Sequence, residues 1–431
     1  MLLGVCALIA LPAGVLRATC MGKTCDQGTT VHARVPFCPL PDELRTLISN
    51  GFYAGRSPDV LGVGAMPVAG GSGGGGDVST PWPATEPVPD VHVPLAFLGT
   101  GVDPNVALPE QLTLDRIAPT LTEILGVRWI FPKVHGGLSI TGLANGERPR
   151  LILEVVWTGG GTPELEADPA ASAAWRTLTA HDGVATTNAT IGSLPLDPAA
   201  TLTTIGAGGL PSQHGITGAL IRDEDSNIVV PWSPGATTAV IAALPDDLVH
   251  RHPDTKVGAV LPARIDQGIV GGTWWETGDV ADVTQARHDP GDAVDTMLAD
   301  GFGADATPDV LAVVVGGPAS AFAHALRTIV PTVRAAVPAT TVVVTATGAR
   351  SSDGTLSGAD VAQHVDANVR SSSPIVEAAV PGGLFLDQDV LAADGLSSGA
   401  VVGPMLGMTE GGRKVFADAF PGFAVSFARY C

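Results

Sequence analysis

The chain has 431 residues, 45% of them hydrophobic, with 54 glycines, 35 prolines and a formal net charge of −20. That length and apolar content suffice for a sizeable core in one large domain or two smaller ones, and the regular apolar runs exclude a disordered chain. The acidic balance disfavours nucleic acid and anionic membrane surfaces as partners, because an acidic protein releases no counterions from either.

From Leu2 to Leu16 the chain is apolar and uncharged, the length of a signal-peptide core and short for a membrane span. Leu16-Arg17-Ala18 reads as a cleavage site, so residues 1–19 are expected to direct export and to leave no transmembrane span in the mature chain. A buried N-terminal helix is the alternative. Of five cysteines, Cys6 falls inside this segment, leaving Cys20, Cys25, Cys38 and Cys431. An even set in an exported chain suggests disulfides, and no CxxC pair or His/Cys cluster suggests a zinc site.

Residues 20–57 read as a short entry with one helix over 41–49, followed by a strand over 59–66. Residues 70–76, nearly all glycine, read as a loop. The apolar run 92–98 predicts a strand covered on both faces. Residues 109–125 have helical spacing and stop at Gly126, and 128–149 read as a connector. Beyond Arg150, predicted strands (151–157, 256–261, 309–315, 340–345) alternate with predicted helices (163–179, 201–208, 237–250, 292–300, 320–336, 357–370). A last strand is predicted over 424–428. This alternation implies an α/β fold with a doubly wound, mostly parallel sheet sandwiched by helices.

Two stretches are similar to a known family. Asp90-Val91-His92-Val93-Pro94-Leu95 with Leu114-Asp115-Arg116-Ile117-Ala118-Pro119 resembles the closing part of the alkaline phosphatase / nucleotide pyrophosphatase-phosphodiesterase superfamily. Thr203-Thr204-Ile205-Gly206-Ala207-Gly208-Gly209-Leu210-Pro211-Ser212-Gln213-His214-Gly215 resembles its opening part. The order is reversed relative to the family, which implies a circular permutation. Residues 20–126 then match the family's C-terminal part, 127–149 connect the usual chain ends, and 150–431 match the N-terminal and middle parts. Residues 38–431 together make one domain, whose tolerance of rewiring follows from the closeness of chain ends in compact domains. Permutation also implies a disulfide between Cys38 and Cys431 to close the seam. Pairing among Cys20, Cys25 and Cys38, with Cys431 free, is the alternative.

Active members of that superfamily hold two divalent metals with Asp and His side chains around a Thr or Ser nucleophile. Set against that pattern, the first strand ends in Trp157 where the family has an Asp, and an indole cannot ligate zinc or magnesium. The nucleophile position falls near Pro198, with Thr201 and Thr203 the closest hydroxyls and both expected as cap or helix-face residues. Pro318-Ala319-Ser320-Ala321-Phe322-Ala323-His324 lacks the family's Asp and sets His324 one residue late. Ala346-Thr347-Gly348-Ala349 stands for Ala-Asp-His-Gly. Only His92 matches a metal-ligand position. The resemblance therefore implies a vestigial cleft of Trp157, Pro198, Thr201, Thr347 and His92, with no confident catalytic residue and no cofactor. Zinc enters only under the alternative of an active phosphoric ester hydrolase with unrecognised ligands.

Other motifs add little. Gly159-Gly160-Gly161 follows a strand but lacks the spacing of a phosphate loop, so filling a gap is the expected role. His181-Asp182, His250/His252 and His288-Asp289 are polar pairs without a nucleophile turn. Trp274-Trp275 could line a pocket, and Asn188-Ala189-Thr190 matches a glycosylation sequon. The resulting expectation is a secreted or cell-envelope binding or scaffold protein whose partner is a small molecule or an envelope protein.

Overall fold

The structure is a computed structural model, and it describes residues 7–10, 16–19, 37–66, 68, 91–131, 133–233, 238–272, 274, 282–285, 290–348 and 356–431. The glycine run 70–76, Cys6, Cys20, Cys25, Trp275 and His288-Asp289 lie outside the described residues, as does most of 1–19. Within 1–19, β1 (Ala7–Ala10) and β2 (Leu16–Thr19) pair as short antiparallel strands.

Along the chain come α1 (Asp42–Gly51), β3 (Val60–Gly64), β4 (His92–Gly99), α2 (Ile117–Leu125), β5 (Leu151–Trp157), α3 (Thr162–Ala167), α4 (Pro169–Leu178) and β6 (Gly183–Thr190). Then follow α5 (Pro198–Ala207), α6 (Pro211–His214), β7 (Ile221–Arg222), β8 (Ile228–Val229), α7 (Leu244–Arg251), β9 (Val257–Leu261), β10 (Asp282–Gln285) and α8 (Gly291–Ala299). The last part holds β11 (Asp309–Val315), α9 (Ala319–Ala336), β12 (Thr340–Ala346), α10 (Gly358–Asn368), β13 (Val376–Val380) and β14 (Gly383–Leu386). It closes with α11 (Gln388–Asp394), α12 (Gly399–Gly407), β15 (Thr409–Glu410), β16 (Arg413–Lys414) and β17 (Phe416–Pro421).

A seven-stranded sheet in the order β10-β9-β11-β5-β12-β4-β6 forms the centre. All its pairs are parallel except those on either side of β4, which runs against both β12 and β6. The sheet is therefore mostly parallel, as the alternation of elements predicts, and helices flank it. β5, β11 and β12 are buried along their full length, which is why each reads as an unbroken apolar run. β4, from the first quarter of the chain, sits inside this sheet, paired from Leu95↔Thr345 to Gly99↔Thr341.

A second sheet, β13-β14-β3-β17, is antiparallel and places β3 between two strands from the end of the chain. It has its own core, with Val361, Leu384, Met405 and Phe416 fully buried. Cys38 and Cys431 are joined by a disulfide that ties α1's approach to the last residue of the chain. No single helix among the described residues is long and apolar enough to cross a membrane.

Several elements differ from the sequence-based expectation. The helix expected over 163–179 breaks into α3 and α4, because Asp168 leaves the helix and caps the next one, accepting from the Ala170 and Ala171 N–H groups, with Pro169 as its first residue. The helix expected over 237–250 shrinks to α7. The strand expected over 424–428 is a 3-10 helix, Gly422–Tyr430, and the last strand is β17 instead. β6 and the β13–β14 hairpin were not expected at all.

Candidate functional site

The carboxyl ends of the parallel strands gather the loops in which a doubly wound sheet places its ligand site. At the end of β5, Trp157 is fully buried, with its Nε1–H donating to the Gly317 carbonyl at 2.8 Å and its ring stacked on Phe322 of α9 at 5.1 Å between centroids. The glycine loop after it is shaped by this indole. A side chain at Gly159 would lie 1.7 Å from the Gly317 carbonyl oxygen, and one at Gly160 would lie 2.6 Å from the edge of the Trp157 ring. The Gly161 N–H donates to Glu164 Oε2 at 2.8 Å, so this loop closes on protein groups and offers no phosphate cradle. Its glycines serve close approach of backbone and ring.

Thr347 sits one residue beyond β12, its N–H donating to the Trp157 carbonyl at 2.9 Å. Their side chains diverge. Trp157 is the register partner of Ala346, so by strand alternation it points away from the face shared by Glu154, Val156 and Thr345. Thr345 and Thr347 are both fully buried, and their hydroxyls have no hydrogen-bond partner. Glu154, in the middle of β5, is buried on that same face, and burial pushes its carboxyl up to about 8. His92 opens β4 opposite Thr190 of β6 and is half-buried. Among the described residues no hydrogen bond or ion pair joins His92 to Trp157, Pro198, Thr201 or Thr347. His324 is exposed on α9, as its offset predicts.

The start of α5 is polar. Pro198 is its first residue and Thr201, one turn on, is buried. Asp197 caps the helix: one carboxylate oxygen accepts from the Ala199 N–H at 2.9 Å, and the other from the Ala219 N–H at 2.9 Å. Burial raises its carboxyl, and these backbone donors oppose the rise. Asp266 opens the buried half of a 3-10 turn, Arg264–Ile269, that follows β9 and packs on α5. Its carboxyl is pushed up to about 7, chiefly by burial, against the Ala263 N–H donor and with the Asp197 charge adding to the rise.

His214, the histidine of the opening motif, is fully buried at the end of α6. Its Nδ1 accepts from the Ile216 N–H at 3.1 Å, which assigns the ring proton to Nε2, and Nε2 lies 3.0 Å from Thr204 Oγ1 on α5. Burial, then the nearby Arg56 charge, lowers it to about 3, so the ring is neutral. Arg56 itself donates to the Thr238 carbonyl at 2.8 Å, fixing the loop beyond α6. The motif histidine is a packing hub between α5, α6 and that loop.

Sequence reasoning missed Asp197 and Asp266. The Asp197-Pro198 pair carries an N-cap signature that could have flagged the first; nothing in Arg264-Ile265-Asp266-Gln267-Gly268 marks the second. No group of three or more His, Cys, Asp or Glu side chains able to hold a metal ion occurs among the described residues. No protein-family model, curated protein or solved structure matches the chain.

Proposed function

We propose that this chain is a circularly permuted, alkaline phosphatase-like domain that works outside the cytoplasm as a binding or scaffold protein, without metal-dependent hydrolysis. The observation that carries the reading is Trp157. Its indole fills the end of β5, where the family has a metal-binding carboxylate, and is held there by Gly317 and Phe322. The side chains present do not fit a two-metal centre: Thr347 stands where the family has a ligand, no hydrogen bond or ion pair among the described residues joins His92 to Thr347 or Trp157, and the Asp197 carboxylate is occupied by backbone donors. The disulfide between Cys38 and Cys431 agrees with a permuted and exported chain.

The test is metal analysis of purified protein together with turnover of bis(p-nitrophenyl) phosphate in zinc and in manganese buffers. Metal-free protein with no turnover above the buffer rate is expected; stoichiometric zinc with chelator-sensitive hydrolysis would sink the proposal. A second reading, an active phosphodiesterase with other ligands, draws on one observation. Asp197 and Asp266 are buried close enough to influence each other at the helix start where the resemblance puts the nucleophile. That reading requires Asp266→Asn to abolish a measurable hydrolysis.

A further inference from the structure

Among the described residues the seven-stranded sheet ends on β6, which has a strand neighbour, β4, on one side only. Exposed sheet edges are normally guarded by charges or proline, yet β6 reads Gly-Val-Ala-Thr-Thr-Asn-Ala-Thr and has neither. At its far end this edge already accepts backbone pairing. The Thr190 N–H donates to the Leu112 carbonyl at 2.8 Å, and Thr113 forms a parallel bridge with Thr190. Before that bridge, residues 104–111 and the strand enclose an open groove of about 880 Å³. Val106, Leu108 and Pro109 line one wall and Val184, Ala185 and Thr186 the other, and among the described residues of the lining Glu110 alone is charged.

We propose that this groove takes an extended peptide as an added strand on β6, with a basic side chain of the peptide facing Glu110. Main-chain hydrogen bonds supply affinity in such strand addition, and alternate side chains supply selectivity. The groove continues the pairing line that Leu112 and Thr113 already follow on this edge, which favours a strand as occupant over a compact ligand. Residues 104–111 stand beside this edge as the groove's second wall. Near the bulge of β6 the backbone is already engaged: the Asn188 N–H donates to Thr186 Oγ1 at 3.0 Å, and the Thr187 carbonyl accepts from Thr162 Oγ1 at 2.6 Å. The peptide therefore pairs along residues 183–186. This site stands apart from Trp157 and α5 and does not depend on the function proposed above.

Fluorescence anisotropy on the full chain tests it, using a labelled peptide of alternating valine and lysine. The comparison peptides are the same sequence N-methylated at alternate amides and a valine–glutamate version. N-methylation in the ladder-facing phase should weaken binding tenfold or more. Glu110→Lys should reverse the preference between the lysine and glutamate peptides without moving the thermal midpoint, and Ala107→Trp should block binding by filling the groove. Equal binding of all N-methylated forms, indifference to both substitutions, or no binding at millimolar peptide would each overturn the proposal.

Discussion

The end of β5 and the start of α5 both follow carboxyl ends of the central sheet, and they are filled by opposite means. At β5 an indole, a phenylalanine and a glycine backbone make an apolar plug whose side chains form a single hydrogen bond, Trp157 Nε1–H to the Gly317 carbonyl. At α5 the buried groups are an aspartate, a histidine and threonines, but each partner is close by and mostly backbone. The plug tolerates no charge, whereas the polar region keeps charges or neutral rings through hydrogen bonds. His214 shows what the polar region is for: its ring bonds to Thr204 of α5 and to the Ile216 backbone, so a fully buried histidine acts there as a packing hub.

The largest effect should come from breaking the plug. Trp157→Ala removes a fully buried ring and should cost about 3–5 kcal/mol in urea unfolding. Trp157→Asp should cost at least as much, because the new carboxylate would be buried among Phe322 and glycine backbone without a donor. If Trp157→Asp instead raised stability in the presence of zinc, the apolar account of this end would be wrong.

Glu154 sharpens the contrast, since it is a carboxyl on the central strand without the backbone donors that Asp197 enjoys. Its folded pKa, about 8, lies above its unfolded value of 4.5. The folded state therefore keeps a proton that the unfolded state sheds, and stability falls as pH rises from about 4.5 until the folded group ionises near 8. Glu154→Gln should remove that slope, gaining about 3 kcal/mol more at pH 8 than at pH 5 relative to the parent chain. Equal effects at the two pH values would mean that the carboxyl is hydrated in solution. Asp266, raised to about 7, adds a slope of the same sign over a narrower span, and Asp266→Asn should flatten it.

How much of this could be read from the sequence depends on how completely each element is buried. β4, β5, β11 and β12 were legible because strands covered on both faces become unbroken apolar runs. β6 was not, because an edge strand of small and hydroxyl residues carries no such run. The stretch 424–428 misled in the other direction: it forms a 3-10 helix beside the disulfide in which Ala424 and Val425 are buried and Phe427 is exposed, so its apolar residues do not require a strand. At the site, the tryptophan that closes β5 could be read directly from one position. The pairing of Asp197 with Asp266 could not, because it depends on how a turn after β9 docks on α5.

Asp197→Ala tests the polar end by removing the cap and leaving several backbone N–H groups without an acceptor, at a cost of about 2–3 kcal/mol. If the cost were near zero, water would be replacing the carboxylate, and the region would be more open than the fully buried aspartate implies.

The smallest effect separates two causes at His214. Thr204→Val deletes the partner of Nε2 and should cost about 1–2 kcal/mol. The lowered pKa arises mainly from burial, with the Arg56 charge second, and that hydrogen bond is not among its causes. The folded value, about 3, lies below the unfolded 6.5, so the stabilisation is full above pH 6.5 and is lost as pH falls toward 3. The valine variant should consequently trace a stability–pH curve parallel to the parent's and displaced downward, when both are followed by urea unfolding between pH 4 and 7. A curve that instead flattened in acid would mean that the threonine contact, rather than burial, keeps the imidazole neutral.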